Sequence, residues 1–188
     1  MEAEGAIQLT WMGRGDMSPG LLERVRRHVA RTFDRPTDLR VVNGPPEDAL
    51  DRKRGQYSST KILRWIVTTM ASGPTKVLGI TDVDLFIPVL TYVFGEAQVP
   101  GAAAVVSTAR LRFTYDERPA SPPLVEARLL KECLHELGHT FGLVHCSDGV
   151  CLMSRSNSVL DVDQKAARFC RDCHQRLWEL MDEEGDES

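Results

Sequence analysis

Apolar residues along the chain fall into two spacings, and each switch between them marks an element. Residues 6–12 (Ala-Ile-Gln-Leu-Thr-Trp-Met) read as a first strand. Ser18-Pro19 then opens a helix, with Ser18 as N-cap and Pro19 in the first position, where a backbone N–H is unpaired in any case. Leu21, Leu22, Val25, Val29 and Phe33 recur at helical spacing behind it. Leu39 to Val42 reads as a short second strand. Residues 43–58, with Gly44, Pro45, Pro46 and a run of charges, read as a long surface loop, with a gate over a cleft as the alternative. A second helix is expected over about 59–71, with Ile62, Leu63, Ile66, Val67 and Met70 on one face. Lys76 to Thr81 reads as a buried strand, followed by strands at Tyr92–Phe94 and Ala102–Leu111. An irregular loop at 116–123 precedes a long helix from about Leu124 to Phe141, which Gly142 ends.

This order predicts an α/β (α+β) fold in a single domain spanning 1–188. Residues 1–142 would form an upper part with the sheet and the long helix, and 143–182 a smaller, lower helical part. The acidic stretch 183–188 is expected to be a disordered tail. The length suffices for one real core.

Composition narrows the class without naming it. Hydrophobic residues make up 42 % and charged residues 27 %, with a formal net charge of −4. Nothing there suggests a nucleic-acid binder, and the arginines and lysines at 24–27 and 52–54 read as solvated surface. The acidic N-terminus has no basic lead or apolar run, and no segment is long and apolar enough to cross a bilayer. A cytoplasmic monomer without nucleic-acid or membrane partners is expected.

The chemistry concentrates between residues 133 and 173. In His135-Glu136-Leu137-Gly138-His139, the two histidines stand one helical turn apart and can converge on one ion. On a helical wheel, Leu129, Leu130, Cys133, Leu134, Leu137 and Phe141 form the core stripe, and His135 and His139 lie opposite, where a cleft can be. Gly142 permits a sharp turn that returns His145 to the same metal. Three histidines suit a zinc ion whose fourth position is left to water, the pattern of a catalytic site. Glu136 points off the ligand face by about a quarter turn, beside that water, as a general base. A chance match is the alternative. It is disfavoured because motif, helix face and terminator agree.

Four of the five cysteines follow within 28 residues, as Cys146-x4-Cys151-x18-Cys170-x2-Cys173. Two close pairs separated by a loop suit a tetrahedral zinc site of four thiolates that would brace His145 from below. Four inert buried cysteines or two disulfides are the alternatives. The second pair is expected on a helix introduced by Asp161 and Gln164 and sharing the face of Phe169, Leu177 and Leu180. Cys133 falls on the core stripe and reads as packing.

The stretch His135 to His145 resembles the metzincin clan of zinc peptidases, and its continuation through Cys151-Leu152-Met153 to Cys170-Arg171-Asp172-Cys173 resembles the archaemetzincins. The resemblance implies a catalytic zinc on three histidines and a structural zinc on four cysteines, two ions per chain. It implies a methionine turn in which Met153 packs under the imidazoles. It also implies a twisted mixed sheet with an antiparallel edge strand that binds extended substrate, with the motif helix behind it. The candidate for that strand is Ala102–Ser107, including Ala103, Ala104, Val105 and Val106. The implied activity is hydrolysis of peptide bonds in a peptide or protein. A catalytically silent zinc module that binds peptides, or a zinc hydrolase acting on another amide or ester, would use the same residues.

Overall fold

The computed structural model describes residues 5–186 except 16 and 74. Strands β1 (Ile7–Trp11), β2 (Thr37–Val41), β5 (Lys76–Thr81), β7 (Gly95–Ala97) and β8 (Ala103–Ser107) form one sheet in the order β2-β1-β5-β8-β7. The first four in that order run parallel and β7 runs antiparallel to β8 at the edge. Helices α1 (Pro19–Phe33) and α3 (Pro122–Thr140) cover one face, where Ile7, Leu9, Leu78, Ile80, Ala104 and Val106 meet Val25, Val29, Leu134 and Leu137. Helix α2 (Ser59–Thr69) covers the other through Ile62, Leu63 and Ile66 against Val77, Ala103 and Val105. Strands buried on both faces read as continuous apolar runs, as β8 does. The rings of Phe33 and Phe141 stack at 5.1 Å and join α1 to the end of α3.

Several expectations need correction. The strand expected at 92–94 is only a bridge from Val93 to Leu85, and regular pairing begins at Gly95. The stretch 43–58 is not a plain loop. It contains a short 3-10 helix, Glu47–Ala49, and strands β3 (Leu50–Asp51) and β4 (Gln56–Ser58), which join β6 (Leu85–Phe86) in a second sheet. Its turn is made by Gly55 at φ +66 and by the Asp51 carboxylate, which accepts from the backbone of Lys53 and Arg54. Those polar residues satisfy a hairpin turn, which charge alone disguised. The helix expected to run from 161 through 180 is two, α4 (Val159–Gln164) and α5 (Arg171–Asp186), with 165–170 irregular between them. The α4 cap is Ser158 with Asp161, three residues earlier than expected. Helix α5 continues through Asp186 where a disordered tail was expected, and 187–188 lie outside the described residues. Among the described residues, no helix is long and apolar enough to cross a membrane.

The antiparallel edge strand is β7 and not Ala103–Val106. That run lies inside the sheet, parallel to β5, and all four residues are fully buried. An apolar strand of small residues fits an interior position as well as an edge one, and only the pairing of Gly95–Ala97 against it decides.

Candidate active site

Helix α3 closes with a Schellman motif. Gly142, at φ +103, donates its N–H to His139 O at 2.9 Å, and Leu143 N–H reaches Gly138 O at 3.0 Å. The reversal brings His145 back over the helix, and ring centroids then lie 4.7 Å (His135 to His139), 4.9 Å (His139 to His145) and 5.4 Å (His135 to His145) apart. One ring nitrogen of each lies within 4.8 Å of the others.

Hydrogen bonds fix how two of these rings are turned. His135 Nδ1 lies 2.9 Å from Leu152 O, and His139 Nδ1 lies 2.7 Å from Leu143 O. A carbonyl only accepts, so both Nδ1 atoms carry the proton and donate. Both Nε2 atoms then present lone pairs to each other across 3.1 Å. Two nitrogens on one tetrahedral zinc stand about 3.3 Å apart. A cation resolves this repulsion, so the residues fit a metal. Burial lowers the pKa of all three imidazoles, carrying His145 down to about 4, so they are neutral donors at neutral pH.

The wheel placed His135 and His139 away from the core stripe, but that face is covered too. His135 is 4 % and His139 7 % exposed. Leu152 O and Lys165 lie against His135 and Leu143 O against His139, and of the three histidines only His145 is exposed. Met153 is fully buried, and a Cβ on Gly138 would stand 2.8 Å from its sulfur, so the thioether packs on the helix between the two histidines. The Met153 carbonyl accepts from Cys146 N–H at 2.9 Å, tying the residue after His145 to this turn.

Glu136 lines a cleft of roughly 460 Å³ together with His135, His145, Tyr92, Phe94, Glu96 and Arg155. Burial, then the nearby Glu132, pushes its carboxyl well above the usual carboxylate range. The wall opposite the helix is the segment 87–96. No residue of 43–58 lines the cleft, although Arg54 and Gln56 brace the wall by donating to Leu90 O and Thr91 O.

Cys146, Cys151, Cys170 and Cys173 converge so that their sulfurs lie within 4.8 Å of one another. All five cysteines are free thiols. The Cys146 and Cys170 sulfurs stand 3.9 Å apart, too far for a disulfide and close to the spacing of about 3.8 Å for two sulfurs on one zinc. Backbone N–H groups of Met153 and Cys170 point at Cys151 Sγ, and that of Cys173 at Cys170 Sγ. This last bond heads the causes that lower the Cys170 pKa, while burial pushes Cys151 and Cys173 up. Donors aimed at sulfur suit thiolates gathered on a cation. Cys133 is fully buried in the core, as expected.

Three contributors escaped the sequence reading. Glu132 stands one turn before His135 and Glu136, a spacing that could have flagged it. Lys165 and Gly95 carry no such signal.

A profile of peptidase family M54 matches residues 2–179. Over 165 residues the chain is 41 % identical to the archaemetzincin of Methanopyrus kandleri, covering 88 % of this chain and 90 % of that one. The crystal structure of archaemetzincin from the same organism superposes with a TM-score of 0.82 at 36 % identity, covering 96 % and 98 % of the two chains. A zinc-dependent peptidase from Methanocorpusculum labreanum superposes with a TM-score of 0.78 at 27 % identity, covering 92 % and 100 %. With its fold, its histidine cluster and its cysteine cluster all in this company, the chain belongs to peptidase family M54 and is a zinc metallopeptidase.

Proposed function

We propose that the three-histidine cluster is the catalytic centre for peptide-bond hydrolysis, with Glu136 as general base. The convergence of His135, His139 and His145 beside the Glu136 carboxylate, all four lining the opening next to strand β7, carries this reading. His135, His139 and His145 would hold a zinc ion, which would supply a Lewis acid for the scissile carbonyl and the attacking water. Glu136 takes the proton of the attacking water and passes it to the leaving amide nitrogen. Its burial keeps bulk water from competing for that proton.

Strand β7 ends the sheet beside the cleft, with its outer edge unpaired among the described residues. An extended peptide can add there by backbone pairing, which places its carbonyl over the histidines. The Glu96 side chain is turned toward α2, where it accepts from Ser59 and Thr60. Cys146, Cys151, Cys170 and Cys173 would hold a second, structural zinc, and that anchoring of Cys146 would fix His145. Gly142 and Met153 act through shape, the first by reversing the chain and the second by filling the space under the ligand turn.

The test is Glu136→Gln. The variant should keep two zinc ions per chain by elemental analysis and lose at least about 100-fold in kcat on a peptide mixture. Turnover surviving that change would refute the role of Glu136.

A further inference from the structure

Behind the histidines lies a buried ion pair that the hydrolytic reading leaves without a role. Lys165 Nζ stands 2.9 Å from Glu132 Oε1, with side-chain exposures of 0 % and 3 %. The contact is an ion pair without hydrogen-bond alignment, because Glu132 Oε1 has no aligned donor. The same ammonium lies 3.4 Å from Ser154 O and 3.4 Å from His135 Nδ1, the nitrogen that faces away from the metal position. Glu132 reaches the cleft, whereas Lys165 is sealed behind it.

A buried pair of this kind is poorly explained by stability, since apolar residues of the same size serve as well or better. Its placement is specific instead. The Nδ1 proton of His135 is already committed to Leu152 O, so Lys165 has no lone pair to bond there. It stands as a fixed positive charge against the back of a ligand ring. Such a charge draws electron density from the imidazole and reduces what Nε2 donates to an ion. Glu132 screens that charge in part.

We propose that Lys165, poised by Glu132, is a positioning residue that weakens the hold of the three-histidine site on its metal and sharpens the Lewis acidity of the ion held there. The inference rests on the three-histidine site being a metal site. The two side chains then act with opposite signs. Removing the ammonium tightens metal binding, and removing the carboxylate loosens it.

The experiment uses the full chain as native protein, Lys165→Met, Glu132→Gln and the double variant. Each is titrated with zinc against a chromophoric chelator, and with cobalt to separate the sites by absorbance, since thiolate ligation gives intense charge-transfer bands that imidazole ligation lacks. Lys165→Met is expected to bind zinc at the histidine site about 10-fold more tightly, and Glu132→Gln about 10-fold more weakly. The cobalt d–d bands of Lys165→Met should move to shorter wavelength as His135 donates more strongly. If Lys165→Met fails to fold with Glu132 stranded, the neutral double variant carries the test and must bind more tightly than Glu132→Gln alone. Weakened binding in both single variants, the result of a merely structural brace, overturns the proposal, as does unchanged affinity in Lys165→Met or its double. Native protein that binds no metal at the histidines would instead overturn the underlying site.

Discussion

Gly95 offers the sharpest test of how the cleft is built. It lies on the edge strand opposite Val106 and faces the active-site helix. A Cβ placed there would stand 2.7 Å from Glu136 Cγ, 2.8 Å from Glu136 Oε1 and 2.7 Å from the backbone oxygen of Val105. The position requires space rather than an unusual φ. Ordinary contact begins near 3.4 Å, so Gly95→Ala must open these contacts by about 0.7 Å. The Val105 oxygen belongs to a fully buried interior strand and cannot retreat. The Glu136 carboxylate or the edge strand therefore moves, and either motion separates the proposed base from the bound peptide.

A misplacement of about 1 Å at a reacting group can lower the rate about 100-fold, so Gly95→Ala is expected to lose roughly 10- to 100-fold in kcat. Stability should change much less. Alanine is favoured over glycine in a strand by about 0.5–1 kcal/mol, which offsets part of an overpacking cost of about 1–3 kcal/mol. The assay is hydrolysis of a quenched-fluorescent peptide library, with zinc content and thermal melting measured on the same preparations. Gly149→Ala is the control, since a Cβ there meets nothing within 4 Å. A Gly95→Ala enzyme with full zinc and kcat within twofold of native would refute the steric reasoning.

Two further outcomes follow from other parts of the molecule. Cys170→Ser should lower the zinc content from two ions per chain to one and loosen the Cys146 anchor, with kcat falling while the fold, read by circular dichroism, persists; two ions retained would show that the cysteines do not hold one. Asp161 accepts backbone N–H bonds from Asn157 and Ser158 at the start of α4, and these depress its pKa below the ordinary 3.8, that of Asn157 foremost. The unfolded state then takes up the proton first, so this contribution is present above pH 3.8 and is lost as pH falls through the lower folded value. Asp161→Ala should cost about 1 kcal/mol at pH 7 in urea unfolding, with the gap to native protein narrowing below pH 3.8; a gap independent of pH would refute the charge assignment.

What could be read from the sequence tracks the distance over which each feature is encoded. The converging pair His135 and His139 and the reversal at Gly142 are written within eleven residues of one helix and its cap, so spacing alone revealed them. The cysteine cluster was legible for a related reason, because two short pairs each carry their own geometry. The edge strand was not. Gly95-Glu96-Ala97 is only three residues long and carries no large or β-branched side chain, and its identity as a strand depends on pairing with Ala104–Val106. A period of two says which face a residue occupies, but not which strand lies beside it. The apolar run at 103–106 therefore looked like the edge when it is the interior neighbour of that edge. Gly95 against Glu136 joins residues 41 positions apart, and Lys165 against His135 joins residues 30 apart. Neither contact leaves a local trace, because a glycine in a loop-like stretch and a lysine after a short helix are ordinary on their own. The clustered histidines can thus be located by helical arithmetic, while the groups packed against Glu136 and behind His135 emerge only from the packed structure. Changes at Gly95 and Lys165 should accordingly alter catalysis and metal affinity in a chain whose motif, read alone, looks intact.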